Sequence, residues 1–228
     1  MARHRLSLAA FFAVTLGTAA IAGSPPPMWD NLVRADSRKL DSVYLLPGAD
    51  FRGYTQVILE PPEVSFKKHW QRDYNNTTMS LSGRISDKEM REAIELARTG
   101  FLDEFTKAYT AAGYQVVTTP GPNVLRINTA VVNMDVNAPD RQTAGRSMTF
   151  AEQAGEATLV IEARDSQSGE ILGRAADRRA AGDTTALLRN SMRNRNDFKK
   201  LFRNWATASA NGLNTLKGMS PYSGAPVR

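Results

Sequence analysis

Apolar positions recur along the chain with two different periods. Short runs such as Ser42 to Leu46 and Val57 to Glu60, the latter closed by Pro61-Pro62, predict strands, and the alternation of Val64 and Phe66 with Ser65 and Lys67 predicts another with one buried face. The period then lengthens. Met90, Ile94, Ala97, Phe101, Phe105 and Tyr109 fall at three- and four-residue steps, the stripe of an amphipathic helix. Ser86-Asp87-Lys88-Glu89 before it has the spacing at which a Ser oxygen takes an early backbone N–H and a Glu reaches back to the cap, and Ala112-Gly113 closes it. Strand-like stretches return at Tyr114 to Thr118 and Val124 to Val136. Within the second, Leu125 and Ile127 are out of phase with Ala130, Val132, Met134 and Val136, so a bulge is expected near Asn128 to Ala130. Ala157 to Ala163 and Ile171 to Ala176, joined by Asp165-Ser166-Gln167-Ser168-Gly169, predict a hairpin. A last helix, beginning near Asn194 or Asn196, carries Phe198, Leu201, Phe202, Trp205, Ala208, Leu213 and Leu216 on one side. Strands, helix, strands, hairpin and helix in this order predict an α+β fold of two layers, a largely antiparallel sheet covered on one face by two amphipathic helices.

The N-terminus changes the picture of where this domain works. Arg3 and Arg5 precede the apolar run Leu6 to Ala19, and Ala20-Ile21-Ala22 supplies small residues ahead of Gly23. These are the parts of a secretory signal peptide, with cleavage expected between Ala22 and Gly23. The expected organisation is a signal peptide over residues 1–22, a linker or edge-wrapping segment over 23–40, one α+β domain over 41–218, and a disordered tail over 219–228. Removal of residues 1–22 takes away two basic residues and no acid, leaving a net charge of about +4. The chain has no Cys, so disulfides, thiol nucleophiles, Cys-ligated zinc and an acylated cysteine are excluded. A single His, His69, remains in the mature chain, which excludes a His-cluster metal site. The expected location is the periplasm, free or peripheral on a membrane. No integral span remains after cleavage and no nucleic-acid motif is present.

The stretch Val43-Tyr44-Leu45-Leu46-Pro47-Gly48-Ala49-Asp50-Phe51-Arg52-Gly53-Tyr54, continuing through Val57-Ile58-Leu59-Glu60-Pro61-Pro62-Glu63-Val64, resembles the domain-of-unknown-function 3313 family. Gly113-Tyr114, Pro120-Gly121-Pro122, Met134 to Pro139 and Asp165 to Glu170 extend the resemblance over roughly residues 40 to 216. It implies a bacterial envelope protein. Many members are lipoproteins, and this chain departs from them in lacking the cysteine that a lipid anchor needs. No activity comes with the resemblance.

Candidate chemistry is sparse. Asp50, Glu60, Glu63 and Asp135 are the carboxylates a glycan- or lipid-acting hydrolase would use, but such a site needs two of them roughly 5 to 9.5 Å apart, which no spacing in sequence establishes. Asn133, Asp135, Asn137 and Asp140 form an oxygen-rich set without a dedicated calcium spacing. His69 has no Ser partner or Asp orienter in any recognisable motif. The sequence therefore points to no catalytic residue, no metal and no cofactor. Two regions stand out as binding surfaces: the family-motif loop Asp50, Phe51, Arg52, Gly53 and Tyr54, and the basic set Arg189, Arg193, Arg195, Lys199, Lys200 and Arg203, suited to an anionic surface. The expectation is a non-enzymatic, periplasmic or envelope-associated binding or structural module whose partner is an envelope protein or an anionic envelope component. The alternatives are a carboxylate-based hydrolase and an anionic-lipid binder.

Overall fold

The structure is a computed structural model. It describes residues 26–78, 83–137, 149–151, 154–182, 187–189 and 191–224, with the side chains of 149–151, 187–189 and 191–193 excepted. In chain order the elements are β1 (Met28–Trp29), β2 (Leu32–Ala35), β3 (Ser42–Leu45), β4 (Gln56–Leu59), β5 (Glu63–Phe66), α1 (Trp70–Thr77), α2 (Asp87–Ala111), β6 (Gln115–Val116), β7 (Val124–Val136), β8 (Thr149–Ala151), β9 (Gly155–Asp165), β10 (Ile171–Ala181), β11 (Leu187–Arg189) and α3 (Ser191–Gly218). The main sheet runs β1-β2-β3-β10-β9-β7-β4-β6, with β5 also on β7. The fold is α+β with a largely antiparallel sheet, as the periodicities predict. Its far edge is mixed, because β4 and β5 both run parallel to β7, one along each half of it. A short separate ribbon pairs β8 with β11.

The centre is the β9–β10 hairpin. Its turn is held by Asp165, whose Oδ1 accepts the N–H groups of Gln167 and Ser168, and Gly169 takes the left-handed φ of 74° that the turn requires. Inward positions alternate along β9 as Ala157, Leu159 and Ile161, all buried. β7 carries Leu125, Ile127, Thr129 and Val131 inward before its phase changes. That change lies at Asn133, with φ of 53°, and not near Asn128 to Ala130, so the inward side chains are Thr129 and Val131 where Ala130 and Val132 were expected. The register against β9 breaks between Val132 and Asp135, and Gly155 opposite is packed so closely that a Cβ there would sit 1.9 Å from the Asp135 carbonyl oxygen.

α2 begins with the expected capping box: Ser86 Oγ accepts the Glu89 N–H at 3.3 Å and Glu89 Oε2 accepts the Ser86 N–H at 2.8 Å. Its stripe meets α3 through Phe101, Phe105 and Phe202, which stack and cross at centroid separations of 4.1 and 5.4 Å. Trp205 is 1% exposed and donates its indole N–H to Asp177 Oδ2 at 2.7 Å, fastening α3 to β10.

Four local features differ from the sequence expectation. The segment taken as a linker contributes β1 and β2 to the sheet edge, where Trp29 meets Tyr44 edge to face. Residues Trp70–Thr77 form a helix, entered through His69 at φ of 66° without a side-chain cap. α3 starts at Ser191, earlier than Asn194. The tail is not disordered at 219: the Tyr222 N–H donates to the Ala49 carbonyl at 2.9 Å and the Gly48 N–H to the Tyr222 carbonyl at 2.8 Å, so the chain is tied down to that point.

Candidate functional site

The two halves of α3 are built differently. Phe198, Leu201, Phe202 and Trp205 are buried in the first half, whereas in the second half the small Ala208, Ser209 and Gly212 come between Trp205 and the larger Leu213 and Leu216. The C-terminal half instead leans on the end of α2 through polar contacts. Tyr109 and Ser209 share a hydroxyl hydrogen bond at 2.7 Å, Tyr114 donates to Asn214 Oδ1 at 2.7 Å, and Asn214 Nδ2 donates to the Ala112 carbonyl at 3.3 Å. The sheet side of the same space includes small residues, Ala163 on β9 and Gly173 and Ala175 on β10, beside the larger Leu45, Leu125, Ile127 and Ile161. A Cβ on Gly173 would come within 3.0 Å of Leu45 Cδ2, so the glycine lets β3 and β10 lie close, and one on Gly212 would meet nothing within 4 Å.

Between the sheet and α3 lies a cavity of about 620 Å³, partly open to solvent, with Ala163, Gly173, Ala175, Ala208 and Gly212 in its lining and residues 36–40 of the β2–β3 loop beside them. Its interior is apolar: Leu45, Leu125, Ile127 and Ile161 rise from the sheet, and Leu213 and Leu216 come from the helix. Phe51, 1% exposed, closes one end. The Tyr109 hydroxyl is held well above its ordinary pKa by burial, so at neutral pH the wall carries a neutral phenol. The mouth is polar and basic, with Arg38 and Lys39 on the loop, Arg179 on β10 and Arg203 on α3, and Asp36 beside them.

The sequence-predicted residues separate across the molecule. Of the family-motif loop, Phe51 enters the core and the cavity wall, while Asp50 and Arg52 face solvent as a bidentate ion pair that pulls the Asp50 pKa down to about 2. Gly53 is exposed, and Tyr54 donates to Asp165 Oδ2 at 2.9 Å, joining the loop to the hairpin turn. Glu60 pairs with Arg126, Asp135 accepts from Lys67 at 3.1 Å, and Glu63 is exposed at the start of β5. None of Asp50, Glu60, Glu63 and Asp135 lines the cavity. Asn133 supplies the bulge, and Asp140 lies outside the described residues.

Of the basic set, Arg203 reaches the cavity mouth. Its Nε donates to Glu104 Oε2 at 2.9 Å, and Lys199 lies 3.8 Å from the other oxygen of that carboxylate, which is 3% exposed on α2. These two cations thus contribute to the contact between the helices. Arg195 and Lys200 are exposed, while the side chains of Arg189 and Arg193, like the cleavage site at Ala22 and Gly23, lie outside the described residues. Sequence reasoning missed the loop cations Arg38 and Lys39, as well as Arg179 in its role at the mouth. It also missed the interruption by Ala208, Ser209 and Gly212 between Trp205 and Leu213 on α3.

Residues 24–209 match the sequence model of the family described as protein of unknown function (DUF3313). No curated protein matches the sequence. Among solved structures, the chain is similar to the PelC dodecamer from Paraburkholderia phytofirmans, with 11% identity, 73% of this chain and 94% of that one covered, and a TM-score of 0.37. It is also similar to a DUF330 protein from Xanthomonas campestris, with 12% identity, 76% and 88% covered, and a TM-score of 0.37. A DUF4136 protein from Bacteroides thetaiotaomicron has 12% identity, 85% and 98% covered, and a TM-score of 0.29. These are distant similarities, and the dodecamer is a property of PelC.

Proposed function

Since the chain belongs to the DUF3313 family, whose members share a sequence pattern and no assigned activity, we propose a function read from the cavity: a non-catalytic module of the bacterial envelope that binds an apolar ligand between its sheet and α3. One observation carries this reading, a solvent-connected cavity of about 620 Å³ with an apolar interior between the sheet and α3. The volume falls within the roughly 300 to 1,000 Å³ of sites that enclose a small ligand, and the few polar groups gathered at the mouth match the usual composition of such sites. The cavity is framed by regular structure, the long β9–β10 hairpin and the aromatic contact of α2 with α3, so its occupation requires little ordering of the protein. The proposed location is the periplasm, supported by the basic start, the apolar run from Leu6 and the Ala20-Ile21-Ala22 site. The hydrolase alternative has no comparable support, since its candidate carboxylates are paired or exposed away from the cavity.

The test is binding of the uncharged fluorophore N-phenyl-1-naphthylamine, whose emission rises in apolar surroundings. The unaltered protein is expected to bind it saturably, and Ala163→Phe or Ala208→Phe, each filling the cavity from a different wall, to weaken binding by about tenfold or more. Extra bulk in a filled core costs about 1 to 3 kcal/mol, so these variants should keep nearly full thermal stability if the space is real. No emission change with the unaltered protein, or equal binding by both filled variants, contradicts the proposal.

A further inference from the structure

The rim of the cavity adds a second kind of information. Among the described residues, five cationic ones line the cavity. Arg174 is taken up by Glu162 and Asp30, and the other four stand at the mouth, two from the β2–β3 loop (Arg38, Lys39), one from β10 (Arg179) and one from α3 (Arg203). The acids near them are placed unequally. Asp177 and Glu104 are 1% and 3% exposed, beneath the surface, while the side chains of Arg179 and Arg203 are 43% and 58% exposed. Arg179 Nε donates to Asp177 Oδ2 at 2.5 Å and its Nη2 to the Lys39 carbonyl; Arg203 Nε donates to Glu104 Oε2 at 2.9 Å. Each guanidinium is thereby oriented from below, and neither Arg179 Nη1 nor the two terminal nitrogens of Arg203 has a hydrogen-bond partner among the described residues. Such a planar, oriented fork is suited to receive carboxylate or phosphate oxygens. Arg38 and Lys39 have no acidic partner among the described residues, and Asp36 is the one exposed acid at the mouth.

Building on the cavity proposal, we infer that the ligand is a single-chain amphiphile with an anionic headgroup, its chain lying in the apolar interior and its head held at the mouth by Arg38, Lys39, Arg179 and Arg203. The division of the site carries this: an apolar interior of Leu45, Leu125, Ile127, Ile161, Leu213 and Leu216, and cationic side chains at the mouth, while Arg174, also in the lining, is held by Glu162 and Asp30. A fully apolar ligand would leave the oriented guanidiniums with no function in binding. A cationic one would meet four like charges. The volume, mid-range for one small ligand, and the single trough between one helix and the sheet fit one chain.

The test compares dodecanoate with dodecanol, which share a chain and differ in the charge of the head, as competitors for the bound naphthylamine at pH 8 and low salt. Dodecanoate is expected to compete about tenfold or more better, the scale of one hydrogen bond to a charged group. The double variant Arg38→Gln, Lys39→Gln, altered only at exposed positions, should lose most of that preference, read as the ratio of acid to alcohol competition against the variant's own fluorophore affinity. Added salt should narrow the preference in the unaltered protein, because exposed charges are screened beyond about 8 to 10 Å. Equal competition by acid and alcohol, or a preference that the double variant retains in full, overturns the anionic-head inference and leaves the cavity proposal standing. Failure of the fluorophore to bind overturns both.

Discussion

Asp177 and Trp205 show what single residues do in this fold. The carboxylate is buried on the sheet face, and it is satisfied there by the Trp205 indole N–H, the Arg179 guanidinium and the Asp41 backbone N–H. Trp205→Phe keeps most of the ring volume but removes one donor from a buried acceptor, and should cost about 1 to 3 kcal/mol in chemical denaturation. Trp205→Ala should cost about 3 to 5 kcal/mol, since it also opens a void. An indole whose loss to Phe were neutral would mean that packing alone places α3. Tyr109 gives a prediction in pH. Burial raises its pKa in the folded state above the ordinary value of about 10, so its contribution to stability is fully present below pH 10 and declines as pH rises from there toward the raised value. Thermal melts above pH 10 should fall less steeply for Tyr109→Phe than for the unaltered protein. Tyr54 is raised too and Tyr114 is pushed up to about 12, so part of the slope should remain.

At the scale of elements, the parts legible in the sequence are those whose local chemistry and tertiary role agree. The capping box at Ser86 and Glu89, the stripe from Phe101 to Tyr109 and the turn at Asp165 to Gly169 are each specified by their own residues and appear as expected. α1 was not legible because His69 enters it without a side-chain cap, and Trp70 is the one residue it buries. β1 and β2 are short strands with little room for a period, and the tail is held by backbone hydrogen bonds to Ala49 and Gly48, by Ser220 Oγ accepting the Phe51 N–H and by one buried ring, Tyr222, too few residues to make a periodic pattern. The bulge was recognised from the phase change in β7 but displaced, because alternation in Ala- and Val-rich sequence is ambiguous until the partner strand is known. The partner is Gly155, opposite Val136. Gly155→Ala should therefore destabilise by about 3 kcal/mol or more, as the Cβ has no space beside the Asp135 carbonyl. Near-normal stability of that variant would mean that the β7–β9 register ends before the bulge.

At the scale of the whole molecule, the cavity is the feature least legible in sequence. Its walls come from β3, β7, β9, β10, α2 and α3, brought together by tertiary contacts, and its signature is small residues where large ones are expected. The small Ala208, Ser209 and Gly212 between Trp205 and Leu213 on α3 are visible in the sequence, but small residues predict close packing as readily as a void. Affinity should also depend on chain length. Each buried methylene contributes about 0.8 kcal/mol, so two more carbons in a fatty acid should tighten binding roughly tenfold until the cavity is full, after which affinity should level off. The most direct measurement of the central claim is methyl NMR with a fatty acid bearing a nitroxide on its chain. Ile127, Ile161 and Leu213, which line the cavity, should broaden first and together, while Val132 and Val160 on the opposite face of the sheet stay sharp. Broadening centred on Val132 and Val160, or none at a ligand concentration that saturates the fluorophore site, would contradict it.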